Sequence, residues 1–424
     1  MRRFLPLLVV CLAWGPLGCG SGAPGLTSQS PPPPPARTPI TPDPVTFTVG
    51  PVSDTPDPVF GTAPFTLEDA EVVDIDDDGD VDLGWVIRTV SATATFEAGS
   101  RPGTRDGGFT SDFGGSSFPA VVTPLLTTGN VLGVGEEGLV YGVQSSATSI
   151  QIFTFGFRVV GNSRSDVGGF GSASGTLAGL VAGDVDGDAI DDVVLLDAAG
   201  RRVVAYLSEG ETGLEVGVPT ALPAGSVAPQ ALAAGSLGPA PSAPGAREDL
   251  VIGLGTDGYV VLVSTGTGGF LADEIVPLGS GRAFADLVTG DFDDDGLTDV
   301  AGVVTQAGEP IRIGVLFGRG NGTFEDLVTT DLEAALGATT LAQLHARDVN
   351  GDAYTDLVCV APSLHRGVVL LSDAAGRFVM AGDPDLGVVG ATVGLHDLDE
   401  DGDLDLLLGN AATLEVTALL NDLN

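Results

Sequence analysis

The chain has 424 residues and a formal net charge of −40, and all 17 of its basic residues are arginine. Such an excess of acidic groups, with no basic stripe to neutralise phosphates, argues against nucleic acid as a partner. Hydrophobic residues make up 43% of the sequence, beside 63 Gly and 28 Pro. This composition is enough to bury a large core in an architecture of short strands and turns.

The first 19 residues have the pattern of an export signal. Arg2 and Arg3 form a charged start, an apolar run follows over Phe4–Trp14, and Gly18–Cys19 resembles the lipobox of bacterial lipoproteins. The apolar run is too short to cross a bilayer as a stable helix. Pro16 departs from the lipobox pattern, where Leu is usual. Ordinary signal cleavage and an uncleaved anchor therefore stay as alternatives to lipidation.

A lipid on Cys19 would attach the protein to a membrane. Because Gly20 and Ser21 follow Cys19 directly, with no Asp at either position, analogy with lipoprotein sorting favours the outer membrane or the cell surface. Residues 20–44 contain Gly, Ser and the run Pro31–Pro35, which predicts an extended linker. Cys11 would leave with the signal. Cys359 lies in an apolar run and is predicted to be a core residue rather than a nucleophile.

A nine-residue pattern of acidic residues recurs five times in the rest of the chain. In the copy Asp291–Asp299, carboxylates fall at positions 1, 3, 5 and 9, Gly296 occupies position 6, and an apolar run begins at position 10. Alternating carboxylates on a tight loop direct oxygen ligands at one centre, as in the EF-hand calcium loop, although here a strand is predicted to follow. A turn without an ion is the alternative, because Asp-Gly is common in hairpins.

The predicted calcium ligands are the side chains at positions 1, 3, 5 and 9 and the backbone carbonyl at position 7 of each copy. They are Asp74, Asp76, Asp78, Asp80 and Asp82; Asp184, Asp186, Asp188, Ile190 and Asp192; Asp291, Asp293, Asp295, Leu297 and Asp299; Asp348, Asn350, Asp352, Tyr354 and Asp356; and Asp397, Asp399, Asp401, Asp403 and Asp405. Ala189 and Ala353 replace Gly at position 6 of two copies, which reduces backbone freedom but removes no ligand. About five Ca²⁺ ions are therefore expected.

The first positions of the five copies are separated by 110, 107, 57 and 49 residues. The two long gaps predict a degenerate copy in each, one starting at Asn130 and one starting at Ser236 and ending at Asp249. Both degenerate copies keep the position of the loop relative to the apolar run that follows it, and both have lost the acidic ligands. Seven units of about 53 residues result. This period, with several short apolar runs per unit, is typical of a β-propeller.

Four strands are predicted in each unit, from apolar runs with period two. Those of the fifth unit are Phe284–Gly290, Thr298–Val304, Arg312–Phe317 and Leu327–Leu332, and those of the sixth are Leu341–Ala346, Asp356–Val360, Gly367–Leu371 and Leu386–Val389. Gly99–Phe118 is predicted to be a Gly-rich surface excursion. The last unit lacks an outer strand, and the run Val45–Val49 is predicted to complete it and to cover the open sheet edge.

These residues resemble the FG-GAP/VCBS repeats, which form the blades of integrin-α-type propellers. The matching elements are the Gly290–Gly296 core, the strand after it, and turns that end in Phe at Gly266–Phe270, Gly320–Phe324 and Ala375–Phe378. The resemblance covers about residues 45–424. It implies an all-β, seven-bladed propeller with calcium loops.

The resemblance also implies a non-enzymatic binding or adhesion scaffold at the cell surface, with an unidentified protein or glycan as its ligand. The alternatives are a propeller enzyme, either a hydrolase or a lyase with a site in the central channel, and a structural surface-layer component. The three histidines are His345, His365 and His396, and no nucleophile elbow or zinc-protease motif accompanies them. No catalytic residue is therefore predicted. A channel pocket with convergent titratable groups would favour the enzyme.

Overall fold

The computed structural model describes most of the chain between Arg37 and Asn421. The described residues are 37, 39–42, 45, 47–54, 65–75, 80–89, 95–101, 103–104, 108–109, 114–119, 125–133, 138–160, 163–167, 170–210, 213–238, 247–279, 281–332, 340–362, 364, 366–381, 390–410 and 415–421. The predicted signal, Cys19 and the ligands Asp76 and Asp78 lie outside them. Arg37–Asn424 forms one compact unit. No helix among the described residues is long and apolar enough to cross a membrane.

Within these residues the regular structure is β-strand, apart from a 3-10 turn at Gly255–Asp257. The first strand is β1 (Phe47–Asp54). The first sheet comprises β2 (Phe65–Val73), β3 (Asp82–Thr89), β4 (Thr95–Arg101) and β7 (Gly114–Pro119), with a ribbon of β5 (Gly103–Thr104) and β6 (Gly108–Phe109) before β7. The second sheet comprises β8 (Leu125–Gly129), β9 (Gly138–Ser146), β10 (Ser149–Val160), β11 (Ser163–Val167) and β12 (Phe170–Ser174). The third comprises β13 (Leu177–Gly183), β14 (Asp192–Asp197), β15 (Arg202–Ser208), β16 (Leu214–Val216) and β17 (Thr220–Ala221).

The remaining four sheets have four strands each. The fourth comprises β18 (Ala231–Gly235), β19 (Asp249–Gly253), β20 (Tyr259–Ser264) and β21 (Phe270–Ala272). The fifth comprises β22 (Arg282–Gly290), β23 (Asp299–Gln306), β24 (Arg312–Leu316) and β25 (Val328–Asp331). The sixth comprises β26 (Ala342–Arg347), β27 (Asp356–Ala361), β28 (Arg366–Ser372) and β29 (Phe378–Met380). The last comprises β30 (Gly390–His396), β31 (Asp405–Asn410), β32 (Glu415–Asn421) and β1.

The core lies between successive sheets, because each sheet packs both of its faces against neighbours. Val194 of the third sheet packs with Leu250 of the fourth, for example, and Leu83 of the first packs with Leu407 of the last. The opening strands of the sheets also contact one another in sequence, from β2 to β8 and onward to β30, which contacts β2 again. This cyclic arrangement explains why the second strands, such as β14 and β27, are buried along their whole length.

The prediction that an N-terminal strand completes the last sheet is confirmed. β1 pairs antiparallel with β32, and Phe47 lies opposite Asn421. The strand extends to Asp54, beyond the predicted end at Val49. It therefore covers the edge of β32, which would otherwise present unpaired backbone groups.

Two strand predictions differ from the structure. The fourth strand of the sixth sheet is β29, because a tight turn in which Asp373 and Arg377 share a backbone hydrogen bond of 2.9 Å brings Phe378 opposite Ser372. The predicted strand Leu386–Val389 lies outside the described residues. The segment 99–118 is not only an excursion, since β7 within it is the outer strand of the first sheet.

Candidate functional site

The acidic loops connect the first strand of a sheet to the second. In the four loops described throughout, the carboxylate at position 1 accepts the N–H of position 6, which closes the loop on itself. The donors Ala189, Gly296, Ala353 and Gly402 lie 2.9, 2.8, 2.8 and 2.9 Å from Asp184, Asp291, Asp348 and Asp397. Asp is favoured at position 1 because its short side chain reaches this backbone group.

Position 6 has a left-handed backbone in all four of these loops, which is the reason for glycine there. The φ angles are +70° at Ala189, +79° at Gly296, +73° at Ala353 and +96° at Gly402. Position 4 is left-handed too, a feature that the sequence analysis missed, with φ of +91°, +57°, +73° and +61° at Gly187, Asp294, Gly351 and Glu400. Each loop therefore has one glycine for two left-handed positions, and the two loops with Ala at position 6 carry theirs at position 4.

The aspartate at position 9 is a structural acceptor. Its Oδ2 accepts the N–H of position 2, with Ile75, Val185, Phe292, Val349 and Leu398 as donors at 3.0, 3.1, 2.9, 3.1 and 2.7 Å. Its Oδ1 accepts an N–H at or after the end of the third strand, with Gly103, Ser208, Gly318, Ser372 and Asn421 as donors at 2.8, 2.8, 2.7, 2.7 and 2.7 Å. Asp249 of the degenerate fourth copy makes the equivalent bond to the N–H of Ser264 at 2.8 Å.

Burial makes these position-9 carboxylates resist ionisation. It raises the pKa of Asp192 to about 7, of Asp299 to about 8, of Asp356 to about 7 and of Asp405 to about 6. The backbone N–H bonds lower these pKa values, and the carboxylates at positions 3 and 5, or at positions 1 and 5 in the loop of Asp356, raise them further. A cation among these groups would favour the charged form instead.

Three of the loops bring carboxylate oxygens within 4.8 Å of one another. The groups are Asp184, Asp186 and Asp192; Asp291, Asp293 and Asp295; and Asp397, Asp399 and Asp405. The Asp293 side chain is 3% exposed, and its Oδ1 is buried without a hydrogen-bond partner. Such sets of hard oxygen atoms suit Ca²⁺, so the residues fit the cation that the resemblance implies. In the loop at 348–356, the Asn350 amide instead donates to Asp352 at 3.0 Å.

A cavity of about 490 Å³ lies where the opening strands end. Residues of β2, β8, β22, β26 and β30 line it, together with three residues of the loops. They are Glu71, Val72, Val73, Asp74, Thr128, Val288, Leu344, His345, Ala346, Arg347, Leu395, His396, Asp397 and Leu404. Because the opening strands contact one another in a cycle, this cavity belongs to the channel that they surround.

Six titratable residues from three sheets converge on this cavity, namely the loop carboxylates Asp74 and Asp397 and four residues of the opening strands. Arg347 and His396 directly precede position 1 of their loops, and Glu71 and His345 lie three residues before it. In a strand these two positions share one face. No catalytic role was predicted for the histidines from the sequence, and neither Glu71 nor Arg347 was predicted to be a site residue. An alignment of the seven units would have flagged Arg347 and His396, since the other units have Gly or Val there.

His345 is oriented by a network that crosses three sheets. Its ring bonds to the Val393 backbone of β30. The N–H of Val393 donates to the Gln343 side chain at 3.3 Å, and Gln343 donates in turn to Asp69 of β2 at 2.7 Å. Burial, together with the charge of Arg347, lowers the pKa of His345 to about 4. The imidazole is therefore neutral at pH 7, and one ring nitrogen can accept a proton from a molecule in the cavity.

No family model and no curated protein sequence matches the chain. Among solved structures it is similar to a lectin from Burkholderia pseudomallei, with a TM-score of 0.54, 15% identity, and coverage of 85% of this chain and 96% of the lectin. It is also similar to a periplasmic gluconolactonase from Pseudomonas aeruginosa, with a TM-score of 0.48, 14% identity, and coverage of 74% and 84%. A third is an α-L-arabinanase from Penicillium chrysogenum, with a TM-score of 0.42, 11% identity, and coverage of 90% and 99%.

The similarity to the lectin and the observed sheet topology define the class of the fold. The chain is an all-β protein of antiparallel sheets with the arrangement of a β-propeller. The prediction that it is not an enzyme is wrong in its premise. That premise was the lack of a channel pocket with convergent titratable residues, and the cavity contains such residues.

Proposed function

We propose that the chain is a seven-bladed propeller enzyme, a hydrolase or a lyase, whose active site is the cavity at the loop end of the central channel. The supporting observation is the convergence of His345, His396, Glu71 and Arg347 on that cavity. Titratable groups gathered in one concave site, among them His345 with its pKa lowered by burial, are what acid–base catalysis requires. The residues come from three different sheets, so only the folded ring assembles them.

The roles follow from the chemistry of each group. His345 is neutral and fixed by the Val393 backbone, so it serves as the general base. Arg347 is the positive charge of the site and stabilises a carboxylate or a developing oxyanion on the substrate. His396 and Glu71 are the candidates for returning a proton to the leaving group.

The shape and lining of the cavity favour a small hydrophilic substrate such as one sugar unit. A volume of about 490 Å³ is within the range of small-molecule sites. Val72, Leu344 and Leu395 supply apolar surface for the carbon face of a sugar ring. The charged side chains and Thr128 would bind its hydroxyl or carboxylate groups.

The proposed function is tested by turnover of a panel of oligosaccharides, uronate-containing glycans and sugar lactones. We expect product with the wild-type protein and a loss of about 10²–10⁴-fold in kcat for His345→Ala, as for the removal of a general base. The exposed Glu309 provides the control variant Glu309→Ala, which should retain full activity. Turnover that is equal in wild type and His345→Ala would exclude the cavity as the active site. If the wild-type protein binds a ligand of the panel without turning it over, and His345→Ala no longer binds it, the cavity is a recognition site for that ligand and not a catalytic one.

The acidic loops are proposed to bind about five Ca²⁺ ions, as in FG-GAP/VCBS repeats. When bound, the ions would neutralise the loop carboxylates and so stabilise the ring. The carboxylates at position 1 of two loops, Asp74 and Asp397, also line the cavity. Ion binding there would therefore affect the shape of the active site as well as stability. A lipid on Cys19 is proposed to hold the protein at the outer membrane or cell surface.

A further inference from the structure

Arg37 lies ahead of β1, in the segment that the sequence predicted to be a linker, yet its side chain is only 14% exposed. The guanidinium donates from Nε to the Asp293 carboxylate and from an Nη to Glu325 at 2.7 Å. Its central carbon lies 3.5 Å from the centroid of the Phe317 ring. All three partners belong to the fifth sheet and its connections. A paired, desolvated cation over an aromatic ring is a specific contact rather than a chance one.

Asp293 is at the same time a predicted calcium ligand, at position 3 of the loop at 291–299. Its Oδ2 accepts from Arg37, whereas its Oδ1 is buried and has no hydrogen-bond partner. Oxygens of Asp291, Asp293 and Asp295 lie within 4.8 Å of one another. The carboxylate can therefore hold Arg37 with one oxygen and a cation with the other.

The segment that carries Arg37 is attached to two further sheets. The N–H of Ile40 donates to the Asp373 carbonyl of the sixth sheet at 3.0 Å, and β1 pairs with β32 of the last sheet. Among the described residues, Arg37 is therefore the first of three attachments that join residues 37–54 to successive sheets. Its release would free the segment from the fifth sheet without opening the ring.

We propose that Asp293 is shared between Arg37 and a Ca²⁺ ion at the loop 291–299, so that ion binding and docking of the N-terminal segment stabilise each other. Arg37 is the positioning residue, because its bond fixes the orientation of Asp293 before the ion arrives. The ion in turn holds the Asp293 carboxylate in the orientation in which its other oxygen accepts from Arg37. The negative charges of Asp291, Asp295 and Glu325 offset the repulsion between the two cations.

The coupling is reciprocal, and both directions can be measured on the full-length chain. Trypsin cleaves after Arg37 only when this side chain leaves Asp293 and Glu325 to enter the protease. We expect millimolar calcium to slow cleavage after Arg37 about tenfold relative to chelator. A free peptide with an Arg–Thr bond in the same samples corrects for the effect of calcium on trypsin. Mass spectrometry identifies the product that begins at Thr38.

Two matched variants separate this loop from the others. Asp293→Asn should abolish the calcium dependence of cleavage after Arg37. Asp399→Asn makes the same change at position 3 of the loop at 397–405 and should leave that dependence intact. In the other direction, Arg37→Ala should weaken one calcium site about tenfold. Arg312→Ala removes an arginine whose carboxylate partners Glu309 and Asp331 are outside the loop and should change no site.

The inference rests on the proposed calcium binding by the loops and not on the enzymatic activity. Faster cleavage in calcium, or tighter calcium binding by Arg37→Ala, would mean that the two cations compete and would overturn the proposal. If calcium does not change the rate of cleavage after Arg37 although bound ions are counted on the protein, the two contacts of Asp293 are uncoupled and the proposal is overturned. If no ions are counted on the wild-type protein, the calcium loops themselves are refuted, and the coupling with them.

Discussion

The aspartate at position 9 of each acidic loop is a predicted calcium ligand and also a hydrogen-bond acceptor for the backbone. The sequence motif does not distinguish these two roles. Each of its oxygens accepts a backbone N–H, one within its own loop and one from the end of the third strand, as at Asp299. Asp249 keeps this arrangement in a loop that has lost the other ligands. The residue is therefore part of the structure of every such sheet, whether or not an ion is bound.

Asp249→Ala should consequently destabilise the protein without releasing calcium. The substitution leaves the N–H groups of Ser264, Gly238 and Leu237 without this acceptor. Each buried unsatisfied donor costs about 1–3 kcal/mol, so the free energy of unfolding should fall by roughly 2–5 kcal/mol. Denaturant unfolding and ion counting on the same sample measure the two effects. Glu274→Ala, an exposed carboxylate after β21, is the control and should change stability by less than about 0.5 kcal/mol. An ion lost from Asp249→Ala would contradict the structural role.

At the scale of the element, the acidic loop is a turn with two left-handed positions and one glycine. The left-handed position that is not glycine, position 6 in two loops and position 4 in the other two, holds a residue with a side chain in each of the four loops described throughout. For an L-residue, this backbone conformation costs about 1–2 kcal/mol. The loops are therefore not at their stability optimum.

Ala189→Gly and Ala353→Gly should each raise the free energy of unfolding by about 0.5–1 kcal/mol. The reason is that relief of the left-handed conformation exceeds the added entropy of the unfolded chain. The residues have φ of +70° and +73°. Ala198→Gly is the matched control, in a turn where the alanine has no positive φ. It should lower stability by roughly 0.4–1 kcal/mol. If all three substitutions lower stability alike, strain at position 6 does not limit these loops.

At the scale of the whole molecule, the ring gathers buried carboxylates on its loops. Their ionisation links stability to pH and, through the proposed calcium binding, to calcium. The pKa of Asp192, Asp299, Asp356 and Asp405 is raised to between about 6 and about 8, against about 3.9 in an unfolded chain. Between these values the folded protein binds more protons than the unfolded one. Its stability without calcium therefore falls as the pH rises through this range.

In chelator, the melting temperature should fall by on the order of 5 °C or more between pH 5 and pH 8. Calcium competes with protons for the same carboxylates, so at millimolar calcium this fall should disappear and the melting temperature at pH 8 should recover. Thermal unfolding at both pH values, with calcium added back after chelation, measures the effect. Equal melting in chelator and in calcium at pH 8 would mean that the loops are turns without ions.

The sequence by itself determined the features that depend on near neighbours. The nine-residue loop closes through bonds between residues that are at most seven apart, so its Asp spacing and its glycine could be identified directly. The second strands are continuous apolar runs because both faces are buried, and the predicted Thr298–Val304 differs from the observed Asp299–Gln306 by only one or two residues at each end. The closing strand was also predictable, because the last unit lacked an edge partner.

The tertiary structure alone decided the features that depend on closing the ring. His345, His396 and Glu71 line one cavity only because β2, β26 and β30 lie around the same channel. The contact of Arg37 with Asp293 joins residues 256 positions apart, and no local pattern marks the Pro-rich segment as anything but a linker. These groups are brought together by sheet packing. That packing is set by the apolar surfaces of the described sheets, not by the polar residues that it assembles.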